Sequence, residues 1–394
     1  MSVERVDRAT HQRGRGTTLG NIQALRGVAA LIVVCAHVSG PDGFETRVFG
    51  SSWTWRSNLP ANTGVDLFFV ISGLIMVVTT WRVFDEPGSA RRFLYRRITR
   101  IYPLYWIVNT AILLLFVLSP ASVSFDDGNQ TDILGSYLLL PHEGRLPVLV
   151  AWSLVYEMYF YLLFTLALTL GRRRFGWVMG AWTGLTLVLF LALGHSSNPY
   201  LSLVSSPLSL EFVLGVGIGY AVLRGWLFRP RLVLVVGIVS AVGVLALLAA
   251  SGWAEFPSDL FRVLGPGLAA ALLVYGAVGV EVSHGGTFPR PMQRLGDCSY
   301  SLYLIHVPAL TLLAAVLAPM LPSGPLVHAL TLVATPIFVV VGAYLCYRIL
   351  ERPLQEFFRR SLPGRRPARV ASAPRRRGVP APRDSRLRRW LARS

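Results

Sequence analysis

Lysine is absent from the chain, so all 38 of its permanently cationic side chains are arginines. Charge of either sign is scarce, at 15% of residues against 53% hydrophobic, where a soluble domain carries roughly 25% charge. That shortage excludes a water-soluble globular domain as the bulk of the molecule. Cysteine is limited to Cys35, Cys298 and Cys346, an odd number lying in apolar stretches. This argues against a disulfide framework or a zinc cluster and leaves packing as their role; no metal site is expected. No polar block long enough to fold by itself interrupts the apolar runs between Asn21 and Leu350, and there is no repeat of fixed period. The start carries Arg5, Arg8, Arg13 and Arg15, but the apolar segment behind it is too long for a signal-peptide core and lacks a small-residue cleavage site. It reads as an uncleaved anchor.

What is present is a succession of apolar stretches near the ~20 residues that cross a bilayer. They read as ten spans at 21–40, 62–81, 101–118, 148–170, 175–194, 203–223, 232–251, 262–280, 298–318 and 326–349. The expected fold is an all-α integral membrane protein of about ten helices in one bundle. Its arginines orient it: all but Arg47, Arg56, Arg145 and Arg262 fall on one side, including clusters at 91–100, 172–174, 224–231 and 290–294. The arginine-rich side of a polytopic protein is cytoplasmic, so both termini are expected in the cytoplasm and the protein in an inner membrane. Residues 1–20 form an arginine-rich tail and 21–353 the membrane domain. Residues 354–394, rich in Arg, Pro, Ala and Ser, form a tail that cannot bury enough apolar surface to order itself. Within it Leu387, Trp390 and Leu391 stand at helical spacing among arginines, the pattern of a short amphipathic turn on anionic lipid. Nucleic acid is not expected as a partner, since nonspecific charge attraction would be its sole support.

An ionised group inside a bilayer costs at least about 2.5–3.5 kcal/mol, which makes each one a functional candidate. The candidates taken from the spans are Arg26, His37, Asp66, Glu157, Glu211 and His306. Arg26 and His37 share one face of the first helix, about 16 Å apart by helix rise. Counted from the span ends, His37 and Asp66 have matching depths, so a carboxylate holding an imidazole is expected, the arrangement of an oriented general base; a structural ion pair is the plainer reading. Glu157, Glu211 and His306 fall near midplane, facing the bundle interior, where they serve catalysis, transport or interhelical hydrogen bonding equally. Arg97 and Arg100, one turn apart just before Tyr102 and Pro103, form a two-armed anion clamp on the inner loop, suited to the pyrophosphate of a coenzyme A thioester.

Five segments in order then spell a known pattern. They are Asn21-Ile-Gln-Ala-Leu-Arg26-Gly27 with His37, Gly64-Val-Asp66-Leu-Phe-Phe-Val-Ile-Ser72-Gly73 and Arg97-Ile-Thr-Arg100-Ile-Tyr-Pro103. The other two are Trp152-Ser153-Leu154-Val-Tyr-Glu157 and Ser299-Tyr300-Ser301-Leu302-Tyr303-Leu304-Ile305-His306. From about Asn21 to Pro353 the chain resembles the acyltransferase 3 family of bacterial membrane O-acyltransferases, most of all its ExoZ-type exopolysaccharide members. The resemblance implies a ten-helix acyltransferase with acyl-CoA, such as acetyl-CoA, as cytoplasmic donor. It also implies a carbohydrate or glycosylated small molecule as acceptor on the outer side, with polysaccharide-synthesis proteins as possible partners. His37, Asp66 and Glu157 are the expected catalytic residues, with Arg26, Arg97 and Arg100 on the donor and Ser153, His306 and Glu211 on the substrate. His37, oriented by Asp66, is expected to take the acceptor's proton in direct transfer, with an acyl-enzyme on His37 or Ser153 as the other route. The rival reading from another class is a glycan or small-solute transporter or flippase, for which polar midplane residues are equally natural.

Overall fold

The computed structural model describes residues 19–39, 43–50, 62–118, 132–142, 146–194, 196–251, 256–322 and 324–361. Among them the regular elements are all helical. The first half contains α1 (Gly20–Ser39), α2 (Phe44–Phe49), α3 (Asn62–Thr80), α4 (Ser89–Leu118), α5 (Ile133–Leu138), α6 (Trp152–Leu170), α7 (Arg172–Leu193), α8 (Pro199–Ser205) and α9 (Ser209–Arg224). The second contains α10 (Pro230–Ser251), α11 (Asp259–Arg262), α12 (Leu268–His284), α13 (Arg290–Asp297), α14 (Ser299–Leu317), α15 (Pro325–Cys346) and α16 (Arg352–Arg360). Ten helical stretches are long and apolar enough to cross a membrane, in the order the apolar runs predict.

Two boundaries differ from expectation. α4 begins at Ser89, so the arginines at 91–100 occupy helical turns rather than a loop. Phe93, Arg97 and Ile101, at i, i+4 and i+8, form its buried stripe while Arg91 and Arg96 face outward, the pattern that holds an amphipathic helix on a core. At the other end, α15 passes through a π-helical turn at Tyr347–Glu351 straight into α16, so residues 354–360 are helical where a disordered tail is expected. The Tyr95 hydroxyl donates to the Phe358 carbonyl at 3.3 Å and ties α16 to α4. The arginine-rich start and the amphipathic turn around Trp390 lie outside the described residues.

α3 is the most enclosed of the spans and α10 the least, with Val235, Val239 and Val242 exposed on its outer face. Lipid removes the hydrophobic drive between helices, so close van der Waals approach must hold them. Glycine permits it at the α3–α9 crossing: a Cβ on Gly73 would lie 2.1 Å from the Phe212 carbonyl oxygen, and one on Gly215 2.0 Å from that of Val70. α1 is pinned at its start, where the Glu281 carboxylate accepts from the backbone N–H groups of Gly20 and Asn21, each at 2.8 Å. Those are two of the four donors a helix start leaves without an intrahelical partner. The buried Asn21 amide adds bonds to the Ala277 and Gly286 carbonyls and accepts from Phe288 N–H. These contacts fix the height of Arg26 and His37 against the rest of the bundle.

Candidate active site

One cavity runs along α3 between α1, α4, α6 and α14. Its α3 wall extends from Val65 to Met76, eleven residues or about 16 Å of helix rise. Arg100, Ile101, Ser299 and Tyr300 line it on the side where α4 carries its arginines; Phe68, Phe69, Ser153 and Tyr303 line the opposite end. Arg26 also contributes to the wall. Arg26 donates to the Gln23 side chain at 2.8 Å. Neither Arg26 nor Arg100 has a carboxylate within ion-pair distance among the described residues. Two guanidiniums in one apolar-walled cavity, neither held in a direct ion pair, suit an anionic guest.

The expected clamp is therefore composed differently. Arg97 is buried away from the cavity wall, its guanidinium over the rings of Phe93 (5.4 Å) and Tyr161 (5.7 Å). A residue three positions before Arg100 lies about 60° round the helix from it, and that rotation turns Arg97 into the α4–α6 interface. The pair that shares the cavity is Arg26 with Arg100.

Glu157 stands in the cavity wall midway along it. Its Oε1 accepts from Ser72 Oγ at 3.1 Å and from the Tyr161 hydroxyl, while no described group donates to Oε2. Two donors on one oxygen fix the carboxyl's rotation and leave the other oxygen for a guest. At the far end the Tyr303 hydroxyl donates to the Val150 carbonyl at 2.8 Å and meets Ser153 Oγ at 2.7 Å. Among the described residues the Ser153 hydroxyl bonds to the Val150 carbonyl and the Tyr303 hydroxyl and to no imidazole or carboxylate.

His37 and His306 lie behind this end. Their rings meet edge to face at 4.9 Å between centroids, and neither lines the cavity. His37 Nδ1 is 2.8 Å from the Val33 carbonyl, and His306 Nδ1 is 2.6 Å from that of Tyr303. A carbonyl only accepts, so in each neutral ring Nδ1 carries the hydrogen and Nε2 keeps its lone pair. His306 Nε2 is buried without a partner. The backbone, and not a carboxylate, thus sets the tautomer that a general base requires.

The expected pairing of Asp66 with His37 is not formed. Helix α3 packs on α1 with Gly64 against Ala29, where a Cβ would stand 2.5 Å from the carbonyl oxygen. In this antiparallel pair Asp66 is level with or deeper than Ala29, and His37 lies about 12 Å beyond it by helix rise. Depth counted from span ends fails because α3 starts well inside the level where α1 finishes. Asp66 instead accepts from Arg262 Nε at 2.6 Å and ion-pairs with its terminal nitrogen at 2.5 Å, both side chains buried. Glu211 adjoins this pair, its carboxyl within hydrogen-bond reach of that of Asp66, and no other described group donates to it. Glu211 is next to Gly267, where a Cβ would come 2.8 Å from Oε1, in the π-helical turn Val263–Gly267. Asp66 and Glu211 therefore belong to a second cluster, outside the cavity wall.

Sequence reasoning missed Arg262 and Glu351. Arg262 was read as a rare arginine on the poor side, and that rarity was the available signal. Glu351 ends the π turn after α15, buried, where its Oε2 accepts from Ser301 N–H at 3.1 Å and Ser301 Oγ at 2.5 Å. It stands within electrostatic reach of both Arg26 and Arg100. Its position past the last apolar run hid it.

A ten-span bundle with a guanidinium-bearing cavity and a nearby imidazole pair is a polytopic membrane architecture with a polar site, and comparison with known proteins gives its class. Residues 19–327 match the acyltransferase domain of the acyltransferase 3 type, and the chain belongs to that family. It is 33% identical over 298 residues to the exopolysaccharide production protein ExoZ of Rhizobium meliloti, covering 74% of this chain and 88% of that one. Nodulation protein 10 of Rhizobium leguminosarum bv. viciae is 25% identical over 79% of this chain and 87% of its own. The peptidoglycan O-acetyltransferase OatA of Listeria monocytogenes is 21% identical over 85% of this chain and 56% of its own. No solved structure matches the chain.

Proposed function

We propose that this protein is a bacterial inner-membrane O-acyltransferase that moves an acyl group, acetyl by preference, from acyl-CoA to a hydroxyl of a carbohydrate or glycosylated acceptor. The observation that carries this reading is the cavity that leads from two guanidiniums, Arg26 and Arg100, to within one aromatic layer of the His37–His306 pair. Membership of the acyltransferase family supplies the reaction class. The ExoZ and OatA likeness supports a polysaccharide as the acceptor.

In this account Arg26 and Arg100 hold the anionic end of the donor, and Glu157, fixed by Ser72 and Tyr161, uses its open Oε2 to orient a polar group of the pantetheine arm. His37 Nε2 takes the proton from the acceptor hydroxyl as its oxygen bonds to the thioester carbonyl carbon. The C–S bond breaks, the sulfur leaves as thiolate, and the proton held on His37 passes to it, so charge and atoms balance. Asp66 has no part in orienting His37; it fixes Arg262 and with it the junction of α3 and α11. The test is transfer of labelled acetyl from acetyl-CoA to a cell-envelope glycan extract, by membranes carrying equal amounts of wild-type or His37→Ala protein. Transfer by wild type alone supports the reading. Transfer by both removes His37 from the chemistry, and transport of a glycan without acylation would replace the enzyme with a carrier.

A further inference from the structure

The cavity and the imidazole pair are separated by a single layer, and its two members are built differently. Tyr303 is buried and fixed by Val150 and Ser153. Its ring centroid is 6.0 Å from that of His306 on one side and 5.8 Å from that of Phe68 on the other. Phe68 has no polar tether and is half-buried, and it packs against all three apolar clusters of the bundle, so it occupies the point where they meet. One of those clusters contains Val34 and Val38, the residues of α1 that bracket His37. Phe68 also lines the cavity, which His37 does not.

From this placement we infer that Phe68, backed by the immobile Tyr303, sets the length of the acyl group the enzyme accepts. The inference rests on the acyl-donor reading above. With the donor's anionic end at Arg26 and Arg100, the thioester lies at the aromatic end of the cavity. Phe68 lines that end, and the acyl group lies against its ring. Tyr303 cannot give way without losing two hydrogen bonds, so the Phe68 ring is the part of this wall whose bulk decides how long an acyl group fits, and it favours a two-carbon group over a longer one.

The experiment measures kcat/KM for acetyl-, propionyl- and butyryl-CoA with wild type, Phe68→Ala, Phe68→Leu and Phe68→Trp in membranes of equal protein content. One methylene in an apolar pocket discriminates about 10- to 200-fold, so wild type is expected to prefer acetyl over butyryl by about 100-fold or more. Phe68→Ala is expected to raise the butyryl-to-acetyl ratio by about tenfold or more, and Phe68→Leu by less in the same direction. If the alanine protein fails to accumulate, the leucine and tryptophan variants decide the matter, the latter losing propionyl before acetyl transfer. Equal wild-type rates for all three thioesters, or an unchanged ratio in Phe68→Leu and Phe68→Ala, would overturn the inference. No transfer by wild type from any thioester would instead bring down the donor reading beneath it.

Discussion

Replacing Asp66 by asparagine separates the role its depth in the sequence implied from the role its contacts show. The carboxylate is fully buried and receives Arg262 Nε at 2.6 Å, with the terminal nitrogen closer still. Taking one member from a buried ion pair costs about 3–5 kcal/mol, because the other charge is left without compensation. Asparagine keeps an oxygen for Arg262 to donate to, so its cost should fall nearer the ~1.5–3 kcal/mol of a hydrogen bond to a charged group. Arg262→Leu leaves the two buried carboxyls of Asp66 and Glu211 without their cation and should cost more than Asp66→Asn, toward the full value. Melting of purified protein in detergent should rank wild type above Asp66→Asn above Arg262→Leu, and Asp66→Asn with Arg262→Gln should recover part of the loss. The acid limb of the transfer pH profile should stay where it is in Asp66→Asn, since His37 lies about 12 Å away by helix rise and bonds to Val33. A wild-type melting temperature together with a displaced acid limb would refute this reasoning and restore Asp66 as the partner of His37.

Three further outcomes follow from single contacts. Arg97→Lys should lower stability by about 0.5–2 kcal/mol, through loss of the guanidinium lying over Phe93 and Tyr161, and leave the KM for acetyl-CoA unchanged. Glu351→Gln keeps an acceptor for Ser301 but removes a negative charge within reach of Arg26 and Arg100, so steady-state kinetics should show a lower KM for the anionic donor. Glu351→Ala should instead cost about 1.5–3 kcal/mol in melting. Glu281→Ala should loosen the start of α1 by about 0.5–2 kcal/mol, the usual worth of a helix cap, detectable as faster amide exchange at Gly20 and Asn21.

The ten spans were legible because a run of about 20 apolar residues has few alternatives to crossing a bilayer. The start of α4 was not, because its first turns are amphipathic and rich in arginine, which hydropathy reads as loop. The chemistry-bearing residues were also visible as ionisable groups in apolar runs, but their partners were not. Asp66 and Arg262 are 196 positions apart, and only the height at which Gly64 meets Ala29 reveals that Asp66 cannot reach His37. Spacing put Arg97 and Arg100 one turn apart on what reads as a loop, and which of them faces the cavity depends on where α6 places Tyr161. The tautomer of His37 is set by its own backbone four residues back, a contact any helical histidine has available and no pattern announces.

The most direct test of the central claim is a steady-state separation of kcat from KM for acetyl-CoA in wild type, Arg100→Gln and His37→Gln at equal membrane content. The account predicts that Arg100→Gln raises KM with kcat nearly intact, because it removes a binding charge, and that His37→Gln lowers kcat about 10²- to 10⁴-fold with KM little changed. A His37→Gln protein that keeps wild-type kcat, or an Arg100→Gln protein that keeps wild-type KM, would contradict it.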